Sequence, residues 1–333
     1  MKDSLDLNSF LLKPDLRDEA GDKYVQAWLE YKAGYYCGGD PDSSCEARDF
    51  YRIMWGEFLN DTGFELRPKP RGFSGVPEKY VQGDWMCSVW TTVKYGLQQA
   101  YGKQQADNKK GYEWNWLLKH KIKEQTFKGK NKTDVSEDTF DVFLKNFDDF
   151  KEVFGDTHLQ EFIRSAYTYA NLIIVPDGFN TARSRPTQDY WDKTMSLYFD
   201  KFDSKHPLQY KKKENGEIID YDCGTPFRKL VEKSRENGSD RLFLDDWLDK
   251  DNNPIPLLDK ELNKPYKPDD WRKLMEEMTK RIDKRREIMQ VRINELMKQE
   301  WLLLQAFCHT RSTLFRHAPY PPMPIAPATT TPL

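Results

Sequence analysis

An unbroken apolar run, Leu172 to Val175, lies in the middle of an otherwise polar chain. Three of its four residues are β-branched, which favours a short buried strand over a helix. Pro176 cannot donate a hydrogen bond to a sheet ladder, so we predict that the strand ends there. Because only 38% of the chain is hydrophobic, we expect the core to be organised around this strand.

A polar loop is predicted directly after the strand, at 179–186, and a helix from about 188 to 202. Polar side chains around this loop are the candidate ligand-binding residues: Asn171, Asn180, Arg183, Arg185, Asp189 and Asp192. Two arginines near a helix N-terminus suit a phosphate or carboxylate ligand. The alternative is that these arginines form ion pairs with Asp177, Asp189 or Asp192 and fasten the loop without a ligand.

A long amphipathic helix is predicted over 269–311, where apolar side chains recur at helical spacing between charged ones. A helix of that length either caps the whole protein or forms a coiled-coil arm for a homodimer or another protein partner. A proline-rich linker at 253–268 separates it from a core domain at 1–252, and the proline-rich tail at 312–333 is expected to be disordered. The predicted fold class is therefore α+β and mainly α, with a helical domain, a small sheet and a long C-terminal helix.

Local periodicity and turn residues predict the remaining elements. Helices are expected at 22–32, 45–59, 84–101 and 158–170. Short strands are expected at 64–66 and 217–221, and a charged turn at 210–216.

Charge and cysteine content bear on the class of protein. The net charge of -2 gives no overall attraction to nucleic acid or to an anionic membrane. No apolar stretch approaches the length of a membrane span, and the first residues are too polar for a signal peptide. The five cysteines are scattered without a Cys-X-X-Cys pair, as is typical of reduced thiols. We therefore expect a cytoplasmic protein with no membrane partner.

No motif in the chain dictates a particular chemistry. The five histidines are isolated, and there is neither a glycine-rich phosphate loop nor a Gly-X-Ser-X-Gly elbow. The carboxylates of Asp40, Asp42 and Glu46 are close in sequence, but the same residues fit a helix cap without a metal. The sequence identifies no catalytic residue, and we predict neither a metal nor a cofactor.

The segment from Lys103 to Lys132 is the most basic part of the chain and contains Tyr112, Trp114 and Trp116. Lysines interleaved with aromatic residues can bind single-stranded nucleic acid through backbone charge and base stacking. The same pattern fits an amphipathic helix over 113–126 whose lysines are solvated. The absence of arginine from the segment favours the second interpretation.

Two stretches of the chain carry a family resemblance. In the first, YANLIIVPDGFNTARS and the following DYWDKTMSLY, the matching positions are Asn180, Ala182, Arg183, Asp189, Asp192 and Thr194. In the second, from Asp40 to Leu66, an Asp-Pro-Asp run precedes Tyr51, Trp55 and a Phe-X-Leu run. Both resemble a family of bacterial proteins known only as a domain of unknown function, which would have glycine where Ser184 stands. The resemblance implies a bacterial source and a fold, but no activity.

The run from Asn171 to Asn180 is also similar to the segment downstream of the catalytic histidine in some HNH-type nuclease domains. That resemblance implies a metal-dependent nucleic-acid-processing enzyme with His158 as its histidine. The competing hypothesis is a binding or interaction protein with an anion-accepting loop from Asn180 to Arg185, and we adopt it as the main prediction.

Overall fold

The computed structural model describes residues 6–16, 19–35, 40–68, 75–104, 112–113, 117, 120, 137–183, 190–200, 209–214, 217–258 and 268–316. The helices, in chain order, are α1 (Gly21–Lys32), α2 (Cys45–Thr62), α3 (Val89–Tyr101), α4 (Glu137–Lys145), α5 (Lys151–Phe154), α6 (Thr157–Ala166), α7 (Phe179–Arg183), α8 (Trp191–Asp200), α9 (Gly224–Ser234) and α10 (Pro268–Arg316). The strands are β1 (Glu65–Leu66), β2 (Tyr80–Trp85), β3 (Lys103–Gln104), β4 (Tyr112–Glu113), β5 (Leu172–Pro176), β6 (Gln209–Glu214) and β7 (Glu217–Asp222). The predicted fold class, α+β and mainly α, is confirmed.

A three-stranded sheet of order β1-β2-β5 lies at the centre of the core. β1 runs parallel to β2, and β5 runs antiparallel to it with Gly83 opposite Ile174. All residues of β5 are buried, which confirms the strand predicted from the apolar run. Backbone bonds from Asp177 to Tyr80 and from Met86 to Asn171 extend the β2–β5 pairing beyond both strand ends.

The sequence prediction of a helix over 84–101 was wrong at its beginning. Tyr80–Trp85 is the central strand of the sheet, and the helix begins at Val89, where the Ser88 hydroxyl accepts a hydrogen bond from Thr91 N at 3.2 Å. The register of β2 is set by its pairing with β5, which is distant in sequence, so periodicity alone does not reveal it. The turn predicted at 210–216 was wrong for a related reason, because residues 209–214 pair with β7 as a strand.

The long C-terminal helix is confirmed as α10, which ends at Arg316 rather than at 311. One of its faces is buried in the core through Trp271, Leu274, Met275, Met278, Ile282, Met289 and Ile293. A coiled-coil contact with a partner stays a prediction. Neither α10 nor any other described helix is both long and apolar enough to cross a membrane.

The beginning of α10 packs closely against α3. The ring of Trp271 lies where a Cβ atom on Gly96 would stand, so only glycine leaves room for it. The Trp271 indole also donates a hydrogen bond to Thr92 O at 2.8 Å. This contact places the helix within the core rather than beside it.

Arginines of α10 hold the chain segment that precedes it. Arg281 donates hydrogen bonds to Ile255 O and Pro256 O, inside the predicted linker at 253–268. Residues 259–267 of that linker and residues 317–333 of the predicted tail lie outside the described residues. The described part of the linker is therefore packed against α10.

Candidate functional site

Two cavities share Asn180, the second residue of α7, in their walls. The first, which we call the arginine cavity, has a volume of about 170 Å³ and is lined by Asp42, Ser43, Arg48, Tyr51, Arg67, Gln82, Gly83 and Asn180. The second, the tryptophan cavity, has a volume of about 180 Å³ and is lined by Lys32, Asp40, Asp84, Trp85, Trp90, Tyr167 and Asn180. Clefts with convergent polar groups are the usual location of ligand sites.

Tyr51 of α2 joins the two chain segments that border the arginine cavity. Its hydroxyl donates a hydrogen bond to Asp42 O at 2.7 Å, which fixes the turn at Pro41–Ser43. Its ring lies against the backbone of Gly83, where any Cβ atom would overlap the phenol. Burial and the nearby carboxylates, Asp42 foremost, raise the pKa of Tyr51 well above its ordinary value, so the phenol stays protonated. The glycine in β2 is thus required by the close approach of the tyrosine.

Arg67 forms the rigid part of the same cavity. It follows β1, and its guanidinium donates to Asp177 Oδ1 at 2.7 Å and to Gln82 Oε1 at 2.6 Å. Arg67 and Asp177 are both buried. Because Gln82 belongs to β2 and Asp177 follows β5, this one side chain connects all the strands of the sheet at the cavity wall.

Arg48 of α2 differs from Arg67 in its contacts. It is half-buried, and its guanidinium makes no hydrogen bond or ion pair in the part of the chain that the structure describes. Burial, followed by repulsion from Arg52 and Arg67, lowers the pKa of Arg48. The fold therefore holds a positive charge at the cavity wall without a counter-charge from the described residues.

Three carboxylates lie along the two cavities, those of Asp40, Asp42 and Asp84. Burial, then repulsion from Asp40 and Asp84, raises the pKa of Asp42 to about 9. At neutral pH the Asp42 side chain is therefore protonated and can donate a hydrogen bond. Within the described residues, no group of three or more His, Cys, Asp or Glu side chains has the arrangement of a metal site.

The structure separates the residues that the sequence placed in one site. Asn171 is buried; its amide nitrogen donates to Ala166 O and Cys87 O, and its amide oxygen accepts from Cys87 N, so it braces the backbone. Asp192 is also buried and accepts hydrogen bonds from Leu257 N and Lys193 N. Neither residue lines the two cavities, whereas Asn180 lines both.

Three other predicted site residues lie partly or wholly outside the described part of the chain. The segment predicted as a loop begins with the short helix α7, and Arg183 is the last residue of that helix. The side chain of Arg183, and the whole of Arg185 and Asp189, lie outside the described residues. Asp177, named as a possible partner for these arginines, pairs with Arg67.

His158 lies in the first turn of α6 and lines neither cavity. Its Nδ1 atom is 3.2 Å from Asp156 Oδ1, and its Nε2 atom is 2.8 Å from Glu276 Oε1 on α10. Asp156 also pairs with Arg272 of α10 at 2.8 Å. These contacts fasten α6 to α10.

Sequence reasoning missed most of the arginine cavity, namely Arg48, Tyr51, Arg67, Gln82 and Gly83. A partial signal was available in the Asp40-Pro41-Asp42 run, which carries part of the family resemblance. That run was interpreted as a helix cap, and Ser44 does cap α2 by accepting from Ala47 N at 3.1 Å. The cap and the cavity wall are made by neighbouring residues of one turn.

Comparisons with known proteins add no assignment, because this chain matches no protein-family model, no curated protein and no solved structure. The resemblance to a bacterial family of unknown function stays a prediction. Function must therefore be argued from the geometry of the two cavities.

Proposed function

We propose that this protein binds a small ligand with an anionic group, and that the arginine cavity receives that group. The observation that carries the proposal is Arg48, a half-buried guanidinium at the cavity wall without a hydrogen bond or ion pair in the described part of the chain. The guanidinium nitrogens of Arg48 are not among the buried atoms of the described residues that lack a partner, so they reach the solvent at the cavity, where a planar guanidinium can exchange water for the oxygens of an anion. A bound carboxylate or phosphate would supply those oxygens.

The neighbours of Arg48 fit the same role. The guanidinium of Arg67 is held in place by Asp177 and Gln82, so it faces the cavity in a fixed orientation. Protonated Asp42, the Ser43 hydroxyl and the Asn180 amide add uncharged donors. Planar guanidinium groups with such donors suit the oxygens of a carboxylate or phosphate.

This proposal keeps the binding function predicted from the sequence but assigns the anion site to different arginines. The sequence placed the anion site in the loop from Asn180 to Arg185, with Arg183 and Arg185 as the cationic residues. The described geometry supports Arg48 and Arg67 in that role, with Asn180 retained.

The test is isothermal titration calorimetry of the full chain with inorganic phosphate and with acetate, on the wild type and on Arg48→Ala. Arg52→Ala is the matched control, because Arg52 lies one turn further along α2, is exposed and pairs with Asp49 at 2.6 Å. Loss of a charged hydrogen bond predicts at least about a tenfold weaker affinity in Arg48→Ala. Arg52→Ala should bind as the wild type does.

The outcome that contradicts the proposal is equal affinity in Arg48→Ala and the wild type, or no binding of either anion to the wild type. Arg48→Lys refines the result. It keeps the charge but loses the planar fork, so we expect an affinity between those of the wild type and Arg48→Ala.

We also propose that the protein works in the cytoplasm, as the sequence predicted. Cys45, Cys87 and Cys223 form no disulfide bond with one another or with any other described residue, and Cys87 and Cys223 are buried. Free thiols are typical of a reducing compartment. Fractionation of the source cells with an antibody against the protein checks the location.

A further inference from the structure

We infer that the ligand is a phosphorylated sugar, whose phosphate lies in the arginine cavity and whose sugar ring lies in the tryptophan cavity. The inference rests on the proposed function, because it adds a second subsite to the proposed anion site. The chemical class of the ligand is inferred from the difference in charge between the two cavities.

The two cavities are separate, but neighbouring stretches of the chain line them and they share Asn180. Asp42 lines the arginine cavity and Asp40, two residues earlier, lines the tryptophan cavity. Along β2, Gln82 lines the first cavity and Trp85 lines the second. At ~3.3 Å per residue these two positions are about 10 Å apart, and Asn180 borders both cavities. In this inference one ligand, about as long as a sugar phosphate, lies across the boundary of the two cavities at Asn180.

The charges of the two cavities differ. The arginine cavity is lined by Arg48 and by Arg67, whose charge is paired with Asp177, and the pKa of its own carboxyl, that of Asp42, is raised to about 9. The tryptophan cavity contains the carboxylates of Asp40 and Asp84 and a single lysine, Lys32. A ligand that fits both is anionic at one end and carries neutral hydrogen-bond donors at the other.

The tryptophan cavity has the groups that recognise a sugar ring. Carboxyl oxygens accept hydrogen bonds from hydroxyl groups, as acidic residues do from ribose in nucleotide-binding folds. Asp40 Oδ1 is held at 3.1 Å by the Trp85 indole, and Asp84 Oδ1 is held at 2.8 Å by Trp85 N. The rings of Trp85, Trp90 and Tyr167 provide flat apolar walls for the C–H groups of the sugar.

The experiment is calorimetry of the full chain with inorganic phosphate, ribose, ribose 5-phosphate, glucose 6-phosphate and adenosine monophosphate. We expect at least one phosphorylated sugar to bind about tenfold or more tightly than inorganic phosphate, since two placed carboxylates add hydrogen bonds. The ratio of the two affinities should fall towards one in Asp40→Asn and in Asp84→Asn. The control Arg52→Ala should leave the ratio unchanged.

The outcomes separate this inference from the proposed function. If the phosphorylated sugars bind no more tightly than phosphate, the sugar subsite is wrong and the anion site stands. If neither phosphate nor any phosphorylated sugar binds, both are wrong. Tightest binding of adenosine monophosphate supports the inference with a nucleotide as the source of the sugar, whereas tightest binding of ribose or glucose phosphate supports it with a free sugar phosphate.

Thermal unfolding of both aspartate variants shows whether they remain folded. Asp40 is exposed, so Asp40→Asn is expected to fold even if replacement of the buried Asp84 disturbs the sheet. If folded Asp40→Asn and Asp84→Asn still bind the sugar phosphate about tenfold more tightly than inorganic phosphate, the assignment of these carboxylates to the sugar is wrong.

Discussion

Arg285 is buried and Arg48 is half-buried, and the fold gives the two arginines different partners. Arg285, on the inner face of α10, is buried and donates hydrogen bonds to the carbonyl oxygens of Ala170, Leu172, Leu242 and Phe243. Arg48, on α2, is half-buried beside a cavity and makes no such bond in the part of the chain that the structure describes. Burial lowers the pKa of both side chains, that of Arg285 to about 9.

The difference separates a structural arginine from a binding one. Arg285 connects α10 to the residues before β5 and to the chain around 242, so backbone groups compensate the cost of its burial. No described residue accepts a hydrogen bond from the Arg48 guanidinium. An uncompensated group at a cavity wall is expected where an external ligand completes the contacts.

The largest effect is expected from Arg285→Met. Methionine fills similar space but leaves four carbonyl oxygens, three of them in buried contacts, without this donor, so unfolding should become easier by about 4 kcal/mol. Urea-induced unfolding followed by tryptophan fluorescence measures the change. Arg286→Met is the control, since Arg286 pairs with Asp283 near the surface at 2.9 Å and should cost less than about 1 kcal/mol. Equal losses in the two variants would contradict the structural role.

The next effect is expected from Arg67→Met, which tests a residue shared by the sheet and the cavity. Its loss leaves the buried carboxylate of Asp177 without this partner, which should cost about 3 kcal/mol. The double variant Arg67→Met/Asp177→Asn removes that charge and should recover part of the loss in urea-induced unfolding. A double variant that is as unstable as the sum of the two single variants would show that the pair is not coupled.

The sequence predicted the elements whose signal is local. The run from Leu172 to Val175 is apolar and β-branched, and it is a buried strand in the structure. The amphipathic repeat after residue 268 gives α10, but Arg285 appears in the sequence as an interruption of its apolar stripe. Its bonding partners at residues 170, 172, 242 and 243 are far away in the chain, so no local pattern could have shown that it is buried.

The candidate site depends even more on contacts between distant residues. Asn180 follows β5 in the chain and lines the arginine cavity, whereas Arg67 comes from the end of β1 and Arg48 from α2, both distant in sequence. Local periodicity predicted a helix from residue 84 onwards and therefore included Asp84 and Trp85, which are the last residues of β2. Asn171 and Asp192 are polar residues with a local pattern like that of a ligand site, yet both form hydrogen bonds with backbone groups.

A smaller, pH-dependent effect is expected from Asp42→Asn. The pKa of Asp42 is about 9 in the folded chain, compared with an ordinary value of 3.8. Between these values the unfolded chain is ionised and the folded chain is protonated, so folding takes up a proton and stability falls as pH rises. Asparagine does not titrate. We therefore expect the melting temperature of the variant to exceed that of the wild type by about 3 °C at pH 8 and by less at pH 5.

The charged and titratable groups that face Asp42 come from several elements: Asp40 from its own turn, Arg48 and Tyr51 from α2, Arg67 after β1 and Asp84 from β2. Thermal unfolding at several pH values measures the difference between the variant and the wild type. The control is Asp49→Asn, because Asp49 is exposed on α2 and lines neither cavity. A gain for Asp42→Asn that is the same at pH 5 and pH 8 would contradict the proton uptake.

The smallest effect on stability is expected from Arg48→Ala, although its effect on anion binding should be large. The substitution removes no hydrogen bond to a described residue and relieves the repulsion from Arg52 and Arg67. The free energy of unfolding should therefore stay within about 0.5 kcal/mol of the wild type or increase. Urea-induced unfolding without added anions measures it. A loss as large as that of Arg67→Met would mean that Arg48 stabilises the fold, and its assignment to a ligand would then lose its main support.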